Sequence, residues 1–286
     1  MVSLTVYCRL MAHGFDPGPV IEPFAALARD FPGDDVYPAA DFRVEWGPIF
    51  HRGRLDGSAR IVVLGQDPGA HEAYVRRILV GEAGQRVQGF LAKLGIERSY
   101  AMVNAFVYSV YGQRGGERHW DDEDIAAYRH RWLDALLIDS GVEAVVAFGH
   151  LAHRAYDRWL ETDAGSASDL AYVPLIHPTM PDAASDDDPA KRAELMKRML
   201  GQWNEGLDQL HAALAHPDRE RELVHYGEDL TDADLAPIPE DDLPAGLPTW
   251  MRSLAPWADR VGADRETKRA TLVVTVPPDE RPWNHT

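Results

Sequence analysis

Ile61-Val62-Val63-Leu64-Gly65-Gln66-Asp67-Pro68-Gly69 is the stretch on which the reading of this chain turns. Its first four residues are apolar and mostly β-branched, as expected of a parallel strand buried on both faces. The strand then empties into a Gly-Gln-Asp-Pro-Gly turn, in which Pro68 and the flanking glycines fix a tight bend. Asp67 falls just past the carboxyl end of the strand, where ligands bind in open α/β sheets. Taken alone, the run is equally compatible with a plain β–α turn carrying a solvated Asp. Two motifs further along the chain decide between the readings.

Composition narrows the classes. The 286 residues make room for one large domain, or a domain with an extension. No apolar run approaches the roughly 18 residues needed to span a membrane, and the first residues lack a basic-then-apolar signal pattern. A single cysteine, Cys8, excludes an internal disulfide and any all-cysteine zinc or iron–sulfur cage. The expectation is a cytoplasmic protein, with no metal or other cofactor and no membrane association. The formal charge of −17 is unevenly spread: residues 51–120 hold ten Lys/Arg against six Asp/Glu, whereas residues 121–190 hold four against fifteen. Screening confines charge effects to about 10 Å, so net acidity leaves room for a local phosphate-binding face. It argues against tight non-specific binding to long duplexes.

Strands and helices alternate. Val87, Phe90, Leu91 and Leu94 share one helical face, which predicts a helix over about 82–95 closed by Gly95. Tyr100-Ala101-Met102-Val103 reads as a second strand leading into Asn104. Residues 122–139 read as a helix with Ile125, Tyr128, Trp132, Leu133 and Leu136 on one face. Ala144 to Phe148 is a third strand, followed after Gly149 by a short helix through Trp159. Tyr172 to Ile176 is a fourth, delivering His177. Asp188 before Pro189 is an N-cap and N1 pair opening a long helix with Leu195, Met199, Trp203, Leu207 and Leu210 on its face. This alternation predicts a three-layer α/β/α fold around a central four-stranded parallel sheet. Beyond residue 214 the chain turns acidic and proline-rich, holding nine of the twenty prolines and Trp250, Trp257 and Trp283. The expected organisation is a domain over 1–214 and an extension over 215–286 that packs on it or stays partly mobile. A late strand is conceivable between Arg269 and Val276.

Three polar residues thus leave three parallel strands at one edge: Asp67, Asn104 and His177. Separate loops converging on one crevice are what a binding site on this architecture looks like. With Gly65-Gln66-Asp67-Pro68, Asn104 after its strand and His177-Pro178-Thr179, the chain resembles the uracil-DNA glycosylase superfamily over roughly residues 33–212. Val36-Tyr37-Pro38 and Asp67 resemble family 1. Val80-Gly81-Glu82-Ala83-Gly84-Gln85, Leu94-Gly95-Ile96 and the spacing to Asn104 and to Ala147-Phe148-Gly149 resemble family 4. Family 4 members carry a cysteine-bound iron–sulfur cluster, which one cysteine cannot build.

The resemblance implies a hydrolysis of the N-glycosidic bond of a base flipped out of DNA. Asp67 would stabilise positive charge on the sugar and orient the attacking water. At ~4 Å and an effective dielectric near 20 such a charge is worth roughly 4 kcal/mol, or about three powers of ten in rate. His177, with backbone N–H groups near Gln66, would stabilise negative charge on the departing base. The Asn104 amide, a donor and an acceptor together, complements the O4/N3–H edge of uracil. Gly69 stands where family 1 members place an aromatic residue against the thymine methyl. Leu79, in Ile78-Leu79-Val80-Gly81, stands where the family has a stacking phenylalanine. Both changes point to a roomier base pocket. The resemblance also implies DNA contacts by Thr179, by Met180 and Pro181 as an apolar wedge, by His150, and by a basic loop from Gly112 to Trp120 carrying Arg118 and His119. In one branch of the superfamily a histidine near this last position traps the product covalently.

The reading is therefore a monomeric DNA glycosylase acting on uracil, with DNA as partner. Three alternatives stay open: a glycosylase for a bulkier modified base, for example in defence against phage DNA; a DNA-binding or covalent-capture relative without turnover; and a small-nucleotide enzyme on the same type of sheet. The last is disfavoured because no phosphate-binding glycine motif follows the first strand.

Overall fold

The Ile61–Leu64 run lies at the centre of the sheet, and every residue from Ile61 to Gly65 is buried. The computed structural model describes residues 19–263, 267 and 271–281. In chain order its main elements are α1 (Phe24–Arg29), β1 (His51–Gly53), β2 (Ile61–Gly65), α2 (Ala70–Val75), α3 (Glu82–Lys93), β3 (Tyr100–Asn104), α4 (Gln113–Arg118) and α5 (Glu123–Leu137). There follow β4 (Ala144–Phe148), α6 (His150–Leu160), α7 (Asp163–Ser166), β5 (Ala171–Leu175), α8 (Met180–Ala184), α9 (Pro189–Ala213), and the two-residue strands β6 (Ala258–Asp259) and β7 (Val273–Val274).

The main sheet has the order β1-β3-β2-β4-β5. The four expected parallel strands are all present, with Gly65 opposite Asn104 and Leu64 opposite Ala147 in register. A fifth strand was not expected: β1 runs antiparallel to β3 at the edge, His51 opposite Val103. His51-Arg52-Gly53 carries no apolar pattern. Arg52 is buried there because Asp242, far along the chain, pairs with it at 2.6 Å and neither side chain is exposed.

Alternate residues of β2 serve two cores. Val62 and Leu64 join Ile125, Trp132 and Leu133 of α5 and Leu151, Tyr156 and Trp159 of α6. Ile61 and Val63 join Val87, Phe90 and Leu91 of α3 and Met199, Trp203, Leu207 and Leu210 of α9. This is the layering that the hydrophobic periodicities predicted. Asp188 caps α9 as expected, its carboxylate accepting from Ala190 N at 2.9 Å and Lys191 N at 3.3 Å.

Two local expectations are corrected, and one segment takes a form that was not anticipated. Leu195 is only half-buried and lines a surface cavity, while Met196 fills the core position beside it. The Gly112–Trp120 stretch is not an open loop, since Gln113–Arg118 forms α4. The segment Met180–Ala184 is a short helix, with Pro181 buried at its start, where the missing N–H costs nothing. Of the conceivable strand between Arg269 and Val276, Val273–Val274 pairs with Ala258–Asp259, and Arg269 and Ala270 lie outside the described residues. Cys8 and Trp283 lie outside them too.

Described residues after 214 run back over the domain. Asp234 pairs with Lys93 at 2.8 Å, and Ala236 N donates to Gln85 O at 3.2 Å. Ile238, Leu243, Trp257 and Ala258 form a small apolar cluster with Val75 and Val80. Among the described residues no helix is long and apolar enough to cross a membrane.

Candidate functional site

The sheet order places its topological switch between β2 and β4, since the chain leaves β2 toward β3 and leaves β4 toward β5 on the other side. A crevice is expected outside the carboxyl ends of those two strands. A cavity of about 750 Å³ lies there, lined by Gln66 and Asp67 after β2, Gly149 and His150 after β4, and His177, Thr179 and Met180 after β5.

Local sequence fixes each wall. The Gln66 side chain bridges the crevice, its Oε1 accepting from Leu151 N at 3.2 Å in the first turn of α6. Gly149 permits this: its φ is +94°, and a Cβ there would meet the Gln66 amide carbon at 2.7 Å. The loop after β3 is tied to the loop after β2, Ala105 N donating to Gly65 O at 2.8 Å and Phe106 N to Gln66 O at 2.9 Å. The turn carrying His177 is held from behind by α9, because Gln202 Oε1 accepts from Ile176 N at 2.7 Å and Trp203 Nε1 donates to Ile176 O at 3.0 Å. From α3, the buried Arg86 donates to Pro178 O at 2.6 Å and pairs with Asp182 at 2.8 Å.

Asp67 accepts from Val110 N through Oδ2 at 3.0 Å. Among the described residues no group bonds its Oδ1. Burial pushes its carboxyl up to about 6, with Glu72 adding to the rise, while the Val110 N–H, Arg260 and Arg43 pull it back. His177 is pushed the other way, down to about 4, by burial and by the nearby Arg86 and His150. It is neutral at pH 7. Its Nδ1 accepts from Thr179 N at 3.3 Å, which puts the proton on Nε2. The cavity thus holds a carboxylate that ionises near neutrality and a neutral imidazole N–H donor.

Other expected site residues are placed elsewhere. Asn104 and Leu79 are buried together behind Gly65 and do not line the cavity. A Cβ on Gly65 would meet Asn104 Oδ1 at 2.3 Å and Leu79 Cδ1 at 3.7 Å. Asn104 Oδ1 is buried without a hydrogen bond, and Leu79 takes a left-handed φ of 52°. Gly69 stands beside the cavity as the N-cap of α2, its N–H donating to Glu72 Oε2 at 2.9 Å. A Cβ there would meet Glu72 Oε2 at 2.8 Å, so a larger residue would have to displace the Glu72 carboxylate that caps the turn. Arg118 and His119 turn away from the cavity onto Asp41. The His119 ring lies 2.5 Å from Asp122 through Nδ1 and 3.1 Å from Asp41 through Nε2. Burial would lower this imidazole, but the two carboxylates outweigh it and hold it above its ordinary value. Both of its nitrogens are thus engaged by carboxylates rather than turned to the cavity. Pro181 is buried and Met180 half-buried, which leaves Met180 as the more accessible apolar residue of the expected wedge.

Several residues of the site carry no signal in the sequence. Glu72 joins the two loops, its other oxygen accepting from Val80 N at 2.9 Å and Gly81 N at 3.3 Å. A carboxylate three residues after an N-cap is a capping pattern, and that alone could have drawn notice. Arg198 and Arg260 line the cavity, and nothing local in the sequence marks either. Among the described residues no group of three or more His, Cys, Asp or Glu side chains could hold a metal ion.

A family model of the uracil DNA glycosylase superfamily matches residues 52–201, from β1 into α9. The match takes in every loop that reaches the cavity from β2, β3, β4 and β5. The chain belongs to the uracil DNA glycosylase superfamily. Membership makes this domain one of glycosylase type, with DNA as the polymer bound. No curated protein gives a match to the chain.

Proposed function

We propose that this member of the uracil DNA glycosylase superfamily hydrolyses the N-glycosidic bond of uracil flipped from DNA, with Asp67 and His177 as its catalytic residues. The observation that carries the proposal is their convergence on one cavity in complementary states. The bond from C1′ to the base nitrogen breaks with its electron pair leaving on the base. His177 Nε2–H donates to the base oxygen on which that charge gathers. Asp67 faces the sugar as it becomes cationic, and its Oδ1 takes up the water that attacks C1′. Oδ2 is held meanwhile by Val110 N–H. The water oxygen ends on C1′, and its proton passes through Asp67 to solvent. Gln66, His150, Thr179 and Met180 surround the base and its neighbours, Met180 being the wedge that fills the vacated stack.

Asn104 has a role in this reading that follows from its unpaired Oδ1. Leaving a buried acceptor unmade costs about 1–3 kcal/mol, and a base edge presenting an N–H would satisfy it once Leu79 and the 79–81 loop give way. The amide then selects uracil over cytosine. A second reading has its own support in the cavity. About 750 Å³, with Leu175, Leu195, Ala183 and Ala184 beyond His177, is ample for a base with a large 5-substituent. Oligonucleotides each carrying one uracil, 5-substituted uracil, hypoxanthine or modified cytosine, treated with the protein and then alkali, separate the two. Cleavage confined to uracil supports the first reading. Preference for a bulky base supports the second, and cleavage of none overturns both.

A further inference from the structure

The last wall of the cavity comes from beyond the family match. Arg260 follows β6 directly and reaches the same space as Asp67 and Arg198. The segment bearing it is pinned at two backbone donors. Trp257 N and Ala258 N both donate to His71 Nε2, at 3.3 Å each. The Trp257 ring packs edge-on against the His71 ring at 4.7 Å. His71 belongs to α2, the helix that the Gln66–Gly69 turn opens, so the segment is registered to the turn that carries Asp67. Upstream, the Arg52–Asp242 pair holds the same stretch of chain to the sheet edge.

Arg260 is half-buried, and among the described residues no carboxylate forms an ion pair with it. Its charge nonetheless reaches Asp67, whose carboxylate it favours. A guanidinium on a cavity wall, with no carboxylate paired to it among the described residues and near the Asp67 carboxylate, is poised for an anion that arrives with the substrate. The only anions a DNA strand brings are its phosphates.

We infer that Arg260 binds the backbone phosphate next to the nucleotide whose base enters the cavity, so that the segment after residue 214 completes the substrate site. The inference rests on the glycosylase reading. It explains how a chain of charge −17 holds DNA at this place: the acidic extension delivers one well-placed cation rather than a basic surface. Arg198, on the facing helix α9, supplies a second cation to the same strand.

The test uses the full chain and a fluorescent single-stranded oligonucleotide carrying one uracil. Anisotropy gives the dissociation constant across a salt series, and single-turnover excision is followed in parallel. Arg260→Gln is expected to weaken binding about tenfold and to lower the slope of log K against log salt by about 0.7, the loss of one phosphate contact. Arg260→Lys keeps the charge and is expected to keep the slope. Arg131→Gln, a charge loss on α5, controls for net charge and is expected to change neither. The pH midpoint of excision by Arg260→Gln is expected to move up, since Asp67 loses a favourable cation. Thermal melts check that each variant folds; if Arg260→Gln does not, loss of the slope in a folded Arg260→Lys overturns the inference by showing that packing rather than charge matters. An unchanged slope and affinity in folded Arg260→Gln, with the unaltered protein active, also overturns it. An unaltered protein that neither binds nor excises overturns the glycosylase reading first.

Discussion

At the scale of the residue, the site is a matched pair of displaced ionisations. Asp67 is pushed up to about 6 and His177 down to about 4, so between these values and neutrality one becomes charged while the other stays uncharged. Excision should therefore rise with pH through about 6 and level off, falling tenfold per pH unit below that midpoint. A second limb, from protonation of His177, is expected only toward pH 4; a single-turnover pH profile checks both statements. The sign for stability is the reverse. A carboxyl raised above its unfolded value of 3.8 opposes folding once ionised, so Asp67→Asn should stabilise the protein by about 3 kcal/mol well above pH 6. That gain should vanish as pH falls toward 4, as denaturant melts at several pH values would show. Asn104 was legible as a polar residue at a strand end, but its burial behind Gly65 was not. Gly65 is glycine because Asn104 Oδ1 occupies the place of its side chain. Gly65→Ala should cost about 1–3 kcal/mol, the usual toll of forcing atoms into a packed core, and should disturb excision as well.

At the scale of the element, periodicity told nearly everything it physically can. The four parallel strands, α3, α5 and α9 were legible because each buries a continuous run or a stripe. The edge strand β1 and the helices α2 and α8 were not, because their residues are placed by distant partners rather than by their own pattern. Leu195 shows the limit on one helix: a leucine at core spacing lines the cavity beside Ala183 and Ala184, while its neighbour Met196 takes the core. The same helix serves packing and site together. Trp203 fills the space between Phe90, Phe148 and Tyr226 and donates to Ile176 O beside His177. Trp203→Ala should cost about 3–5 kcal/mol. Trp203→Phe should keep most of that packing yet slow excision by releasing the His177 turn. Equal activity of the Phe variant and the unaltered protein would show that the turn holds itself.

At the scale of the whole molecule, residues after 214 are structural partners of the sheet. Asp242 is fully buried against Arg52 and Tyr100. Breaking a buried pair by removing one charge costs about 3–5 kcal/mol, so Asp242→Asn should lower the melting temperature sharply although it lies outside the family match. No sequence pattern could announce that pair, since its members become neighbours only when the chain is folded. The convergence of Asp67 and His177 on one cavity was legible, because strand ends at a sheet edge are local features brought together by a topology that hydrophobic runs predict. The central claim is that Asp67 supplies the charge for glycosidic cleavage. Its most direct test is single-turnover formation of alkali-labile sites in a uracil oligonucleotide at pH 7.5 by the unaltered protein and by Asp67→Asn. The account predicts a loss of about two to four powers of ten in rate with binding retained; undiminished cleavage by the Asn variant would contradict it.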